Sequence, residues 1–452
     1  MVVDTQTRGL ARGGAADIFA LVRDVALPTL SKGVLRRRPG VVGLLESTGT
    51  EARGIQRLQR LRQKYASRPV LLSVFGRKQL ILTDPAQVQR VLQETPAAFK
   101  SSSDEKSAAL AHFEPGVSLI ADGADRQVRR AFNAGLLDEG CPFHRLSTQF
   151  RQVVHQEFGD LFADMTRRGA TNLTWEPFFA AWNRMVRQIL LGDSARNDEA
   201  LTESLNRLRS VGNWAFLHPG RKRLHHDFHH RLQTHLDRAD PASLAGLVAQ
   251  VPGHDQTPVS DQFAHYMFAF DPGGMTSYRA LALLAAHPDT MHTLRTQLAA
   301  GDGRADPLLR ASLLESLRLW PTTPVILRQA RHDIDWEGDT LPGGAQVVIY
   351  APFFHRDDET LTEAHRFAPG LWPDGQVELG SRFVPFSDGD GVCPARDLVL
   401  MVGAMVLSEI LGTFEAALAD PARLDPARPL PPTLDNYTIE FTLTGRASDH
   451  QS

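Results

Sequence analysis

The chain has 452 residues, of which 42% are hydrophobic, with 49 basic and 52 acidic side chains and a net charge of −3. That is enough apolar material for a large core, and length alone would allow two or three domains; the near balance of charge argues against a polybasic nucleic-acid binder. Two cysteines, Cys141 and Cys393, lie far apart in sequence, which excludes a disulfide framework and fits a reducing compartment. Apolar stretches between residues 18 and 45 are interrupted by Arg23, Asp24, Lys32, Arg36, Arg37 and Arg38. No bilayer span or cleaved leader is expected there, and the chain reads as cytoplasmic, without a membrane anchor.

Residues 1–50 are weakly patterned and read as an N-terminal extension, partly mobile. Residues 54–65 predict a helix, and 70–75 and 79–83 predict strands joined through Gly76. Asp84-Pro85 opens a helix through residue 92. Residues 101–121 look irregular. From 125 to 236 the pattern is helical, broken near His218-Pro219-Gly220. A long helix over 259–286 follows, then a shorter one over 308–319 ended by Pro321. Strands are predicted at 325–328, 346–350 and 438–443. The fold class is mainly α with small β-sheets, without internal repeats.

Cys393 closes the run Phe386-Ser387-Asp388-Gly389-Asp390-Gly391-Val392-Cys393. A single cysteine beside an apolar helix is ordinarily a small buried hydrophobe. Here Pro394 suits a first helical position, and Leu398, Val399, Met401, Val402, Met405, Val406 and Ile410 make the following helix too apolar for a surface. A sulfur at that helix mouth faces unpaired N–H groups, which favour its thiolate. Gly389 and Gly391 allow a tight turn and close approach to something flat.

The run resembles the haem-ligand loop of the cytochrome P450 family at Phe386, Ser387, Gly389 and Cys393, and the order of elements is similar to the family from about residue 54 to 443. The resemblance implies the cytochrome P450 fold, a single haem domain over 51–452, and heme b (iron-protoporphyrin IX) with Cys393 as the metal ligand. It also implies a buried pair from Glu315 and Arg318. Leu371 stands where the family has a third arginine; Arg366 and Arg382 are both open as substitutes. Arg130, Arg126, Arg328 and His355 resemble the polar residues that hold the haem propionates, while Gly391 stands where a further donor is expected.

Counting back from His287-Pro288, Asp271 matches the family's acid on the oxygen side, and Pro272 replaces its threonine. Asp271, Pro272 and Gly273 are the candidate catalytic residues. A proline here should open the helix at the carbonyl of Phe268, with Gly273 and Gly274 easing the distortion and Thr276 and Ser277 as alternative hydroxyls. The plain alternative is a kinked core helix with a satisfied aspartate. Substrate contacts are implied for Phe268, Phe270, Val325, Ile326, residues 101–120, Trp214-Ala215-Phe216 and residues 434–437.

The function implied is a monooxygenase oxidising a small organic molecule in secondary metabolism, supplied with electrons by a separate ferredoxin or flavoprotein reductase, and monomeric. The alternatives are a peroxide-using peroxygenase, an isomerase or dehydratase-like enzyme, and a haem sensor without turnover. The run Asp333-Ile334-Asp335-Trp336-Glu337-Gly338 imitates a calcium loop but lacks its closing glutamate, so strand-turn-strand is expected. His225, His226, His229 and His230 are expected on a solvated helix face rather than around a metal.

Overall fold

A computed structural model describes residues 9–74, 76–213, 221–301, 303, 305–377, 380 and 382–446. Trp214-Ala215-Phe216 and the break at residues 218–220 lie outside them. The helices that position the site are α1 (Thr50–Lys64), α2 (Pro85–Gln93), α3 (Asp104–Leu110), α4 (Gly123–Leu136), α5 (Trp175–Leu191), α6 (Glu199–Gly212), α7 (Lys222–Leu236), α8 (Val259–Ala286), α9 (Ala305–Leu319) and α10 (Arg396–Thr413). Among the described residues, no helix is long and apolar enough to cross a membrane.

Local chemistry sets the element ends. Asp84 caps α2, its carboxylate accepting the Ala86 N–H at 2.8 Å, while Gln87 reaches back to the Asp84 N–H and Pro85 fills the first turn. Every residue of α8 from Gly273 to Leu284 is buried, so this helix runs through the interior. It packs with α5, α9 and α10 in one large apolar cluster that includes Trp182, Leu281, Leu314 and Val406.

A six-stranded sheet covers a second cluster. Its strands are β1 (Ala11–Arg12), β2 (Val70–Val74), β3 (Arg77–Ile81), β4 (Phe99–Lys100), β6 (Val325–Ala330) and β9 (Gln346–Tyr350), in the order β1-β2-β3-β9-β6-β4. The pair β6–β9 is antiparallel with Val325 opposite Tyr350, and β3–β9 is parallel. β5 (Asn172–Leu173), β10 (Phe414–Leu418) and β11 (Phe441–Gly445) form a three-stranded sheet. β7 (Ile334–Trp336) and β8 (Asp339–Leu341) form a hairpin turning through Glu337 and Gly338, both at positive φ, so the calcium-like run is strand-turn-strand.

Three expectations change. Residues 9–50 are not a separate extension: β1 pairs with β2, Leu21, Leu35, Val42 and Leu45 are buried, and Lys32 pairs with Glu51. Their pattern was obscured because a π-helical turn, Val22–Ala26, breaks the 3.6-residue period. The stretch read as irregular contains α3, capped by Ser103. The last strand starts at Phe441, behind a 3₁₀ turn over Asn436–Thr438.

Candidate active site

Cys393 lies three residues before α10. The helix opens at Arg396, not at Pro394; Pro394 and Ala395 form the turn that leads into it. The Cys393 N–H donates to the Phe386 carbonyl at 3.0 Å, closing the loop on itself. Gly389 takes φ +62°, and a Cβ there would fall 2.3 Å from the Leu92 carbonyl oxygen, so the turn is pressed against α2.

The expected thiolate bias is outweighed in the bare chain. Burial pushes the Cys393 thiol above its ordinary value, against the Ala395 N–H, Arg130 and Arg396, which pull it down. Cys393 as a residue is half-buried. An anion at this position therefore calls for a metal cation, and a coordinated thiol is deprotonated outright.

On the other side of the loop, cations outnumber acids. Arg126 contacts Asp390 at 2.7 Å, and Arg328 donates to the Ser387 hydroxyl at 2.8 Å. Lys106, from α3, donates to the Ser101 carbonyl at 2.7 Å. Burial, then Arg328 and Arg126, push its ammonium down to about 7. Among the described residues, Arg126 Nε, Arg328 Nε and Arg130 Nη1 are buried without a hydrogen-bond partner. Three cations facing one carboxylate, with donors to spare, suit the two propionates of a haem. Lys106 carried no sequence signal, because it falls in the stretch read as a loop.

Arg130 pairs with Glu139 and acts electrostatically on both Cys393 and Arg126. His355 is fully buried. Its Nε2 accepts the Val384 N–H at 2.9 Å, tying down the approach to the cysteine loop, and burial beside Arg318 pushes it down to about 3. That imidazole stays neutral, and its Nδ1 is buried without a partner among the described residues.

Glu315 and Arg318 are fully buried and joined by two bonds, 2.6 and 2.7 Å. Arg318 spends its remaining donors on the carbonyls of His355, Ala364 and Arg366. Neither Arg366 nor Arg382 replaces the missing arginine. Glu315 instead accepts the Trp372 indole N–H at 2.8 Å and the Ala368 N–H at 2.7 Å, while Arg382 turns to Thr360. The substitute was invisible in sequence because half of it is backbone.

On α8, Phe268, Ala269, Asp271 and Pro272 are partly accessible while their neighbours are buried. The helix runs unbroken through Pro272. The Trp182 indole donates to the Phe270 carbonyl at 3.0 Å, and Gly273 and Gly274 allow that ring to pack close rather than easing a break. Thr276 and Ser277 donate back to the carbonyls of Pro272 (2.8 Å) and Gly273 (2.9 Å) and are buried, so neither offers a free hydroxyl. Asp271 is ion-paired with the buried Arg209 of α6, whose guanidinium also lies 4.7 Å from the centre of the Phe268 ring. Phe270 is core, 1% exposed against Trp182, and Ile326 is buried as well; Phe268 and Val325 keep some exposure.

One turn before Phe268, His265 meets the fully buried Glu114 at 2.8 Å. Burial raises the Glu114 carboxyl, and its second oxygen has no partner among the described residues. The histidine-rich helix α7 is not uniformly solvated. His226 and His230 face out, whereas His225 and His229 turn inward near Asp261, with His229 bonded to Ser260 and the Phe113 carbonyl.

The chain is mainly helical and sets a cysteine at the head of a buried helix, with a closed Glu-Arg network and a cluster of cations on other elements. Residues 267–432, a little over a third of the chain, match the family model described as Cytochrome P450. Berbamunine synthase from Berberis stolonifera is 28% identical over 175 residues, 35% of this chain and 36% of its own length. Ferruginol synthase from Salvia miltiorrhiza is 29% identical over 177 residues (35% and 36%), and drimenol monooxygenase from Persicaria hydropiper 28% over 179 residues (36% and 34%). The matched stretch thus spans little more than a third of these relatives.

Proposed function

We propose that the protein is a haem–thiolate monooxygenase that oxidises a small organic molecule, in the manner the names of its oxidising relatives suggest, within secondary metabolism. The observation carrying this reading is the half-buried Cys393 at the head of a buried helix, in a loop that Arg126 and Arg328 contact at Asp390 and Ser387, with Lys106 close to both arginines. Cys393 would ligate the iron of heme b, and Arg126, Arg328 and Lys106 would hold the propionates. Once bound, thiolate-ligated haem supplies O–O cleavage and oxidation of a nearby bond. Around it, Phe268 and Val325 shape an apolar wall, and Arg209 ion-pairs with Asp271 at the oxygen side. Electrons would come from a separate ferredoxin or flavoprotein reductase. A monomer in the cytoplasm completes the reading; sedimentation and cell fractionation check those two parts.

The experiment is spectroscopic. Reduced protein with carbon monoxide should give the strongly red-shifted band of thiolate ligation, and Cys393→Ser should abolish it. A preparation that cannot be loaded with haem sinks the reading.

A second reading, peroxide-driven turnover without redox partners, is favoured by Pro272, together with hydroxyls on Thr276 and Ser277 that are already bonded to carbonyls. Product formation with hydrogen peroxide alone, compared with a reductase system, separates the two.

A further inference from the structure

Beyond the haem loop, the N-terminal segment, α8, the end of α9 and the turn before β11 enclose a cavity of about 30 Å³. That is room for about two water-sized groups. Its walls are charged. Lys32 pairs with Glu51, whose other oxygen accepts the Thr433 hydroxyl. Arg37 donates to the carbonyls of Gly33 and Thr322. Arg279, 9% exposed, donates to the carbonyls of Trp320 at 3.3 Å and Leu434 at 2.8 Å, and its Nε has no partner among the described residues.

Three cations thus surround one carboxylate that is already taken. The two guanidinium groups hydrogen-bond only to backbone oxygens, and Glu51 and the nearby buried Asp435 offset their charge without bonding them. Asn436 adds an independent sign of a missing ligand. It is fully buried in the cavity wall, and neither its amide oxygen nor its amide nitrogen has a partner among the described residues.

The cavity adjoins the oxygen side. Met275 and Arg279 line it one and two turns beyond Asp271 on α8, about 12 Å along the axis for the farther one. Leu434, Asn436 and Tyr437 line it from the stretch expected to touch substrate.

We propose that this cavity holds a carboxylate of the substrate, accepting from Arg279, Arg37 and the Asn436 amide, so that the molecule oxidised is an organic acid with an apolar body. Two planar forks suit a planar carboxylate. The inference rests on the substrate-oxidising reading above and deepens it.

Calorimetric titration of the haem-loaded protein at pH 7 with decanoate and with decanamide tests it, since the two differ in charge and not in chain length. Decanoate should bind at least tenfold more tightly. Arg279→Met and Arg37→Met should each shrink that preference several-fold and leave decanamide affinity unchanged. Equal affinities, including no measurable binding of either compound, overturn the proposal, as does a preference that survives in both variants. If Arg279→Met fails to fold, the unmodified protein and Arg37→Met decide. The carbon monoxide spectrum of the same preparation separates the outcomes: a red-shifted band without an acid preference removes only the carboxylate site, and a preference without that band removes only the oxidation reading.

Discussion

Arg328 occupies the space that a side chain at Gly391 would need: a Cβ built on Gly391 lies 2.1 Å from Arg328 Nη2. The donor expected on the loop is therefore absent for a steric reason. A guanidinium from β6 reaches into that space and bonds Ser387 of the same loop.

Gly391→Ala should displace Arg328 and lower haem affinity about tenfold, equivalent to about 1.4 kcal/mol. Gly391→His should do no better, although it restores a donor. Haem retention under competition by apomyoglobin measures both. Unchanged retention in Gly391→Ala would show that the guanidinium moves aside freely.

Lys106 gives haem uptake a pH dependence. Its ammonium titrates at about 7 in the bare chain, and two propionates would favour its protonated form. Affinity should thus fall as pH rises from 6 to 8. Apoprotein stability should move the opposite way, rising from about pH 7 toward 10.5, because the unfolded chain binds the proton that the fold excludes. Lys106→Met should flatten both slopes.

His355 supplies an acid limit. Its pKa falls from 6.5 to about 3 on folding, so the unfolded state takes up a proton through that window while the fold does not. Stability should decline between pH 6.5 and 3, and in His355→Asn that part of the slope should vanish from urea titrations.

Trp372→Phe would strip one of four donors from the fully buried Glu315 and should destabilise the fold by about 1–3 kcal/mol. Leu371→Arg, although it restores the family's residue, should not stabilise, because the carboxylate's acceptor positions are already filled. Chemical melts of the two variants check this.

Pro272→Thr should raise the fraction of electrons recovered as product if proton delivery limits turnover. Arg209→Met, which leaves Asp271 unpaired, should lower it. Product formed per reductant consumed is the measurement. No change in either variant would assign Pro272 to another chemistry.

Much of the fold was legible in sequence because its signals are local. Asp84-Pro85 marks a helix start, the pattern over Val259–Ala286 reads as one long helix, and Glu315 and Arg318 stand one turn apart. What escaped depends on distant partners. Nothing in the neighbourhood of Trp372 says that its indole meets Glu315, and nothing around Trp182 says that it meets the carbonyl of Phe270. The N-terminal segment misled because one π turn scrambles the spacing of its buried residues, and Lys106 because an irregular-looking loop holds a short helix.

Lys32 and Arg37 make one wall of a chamber whose other walls lie hundreds of residues downstream. Removing the residues around Lys32 and Arg37, or disturbing the pairing of Ala11 with Val70, should therefore alter the acid preference proposed for that chamber. Decanoate and decanamide affinities compared between the 452-residue chain and a shortened one would reveal the difference.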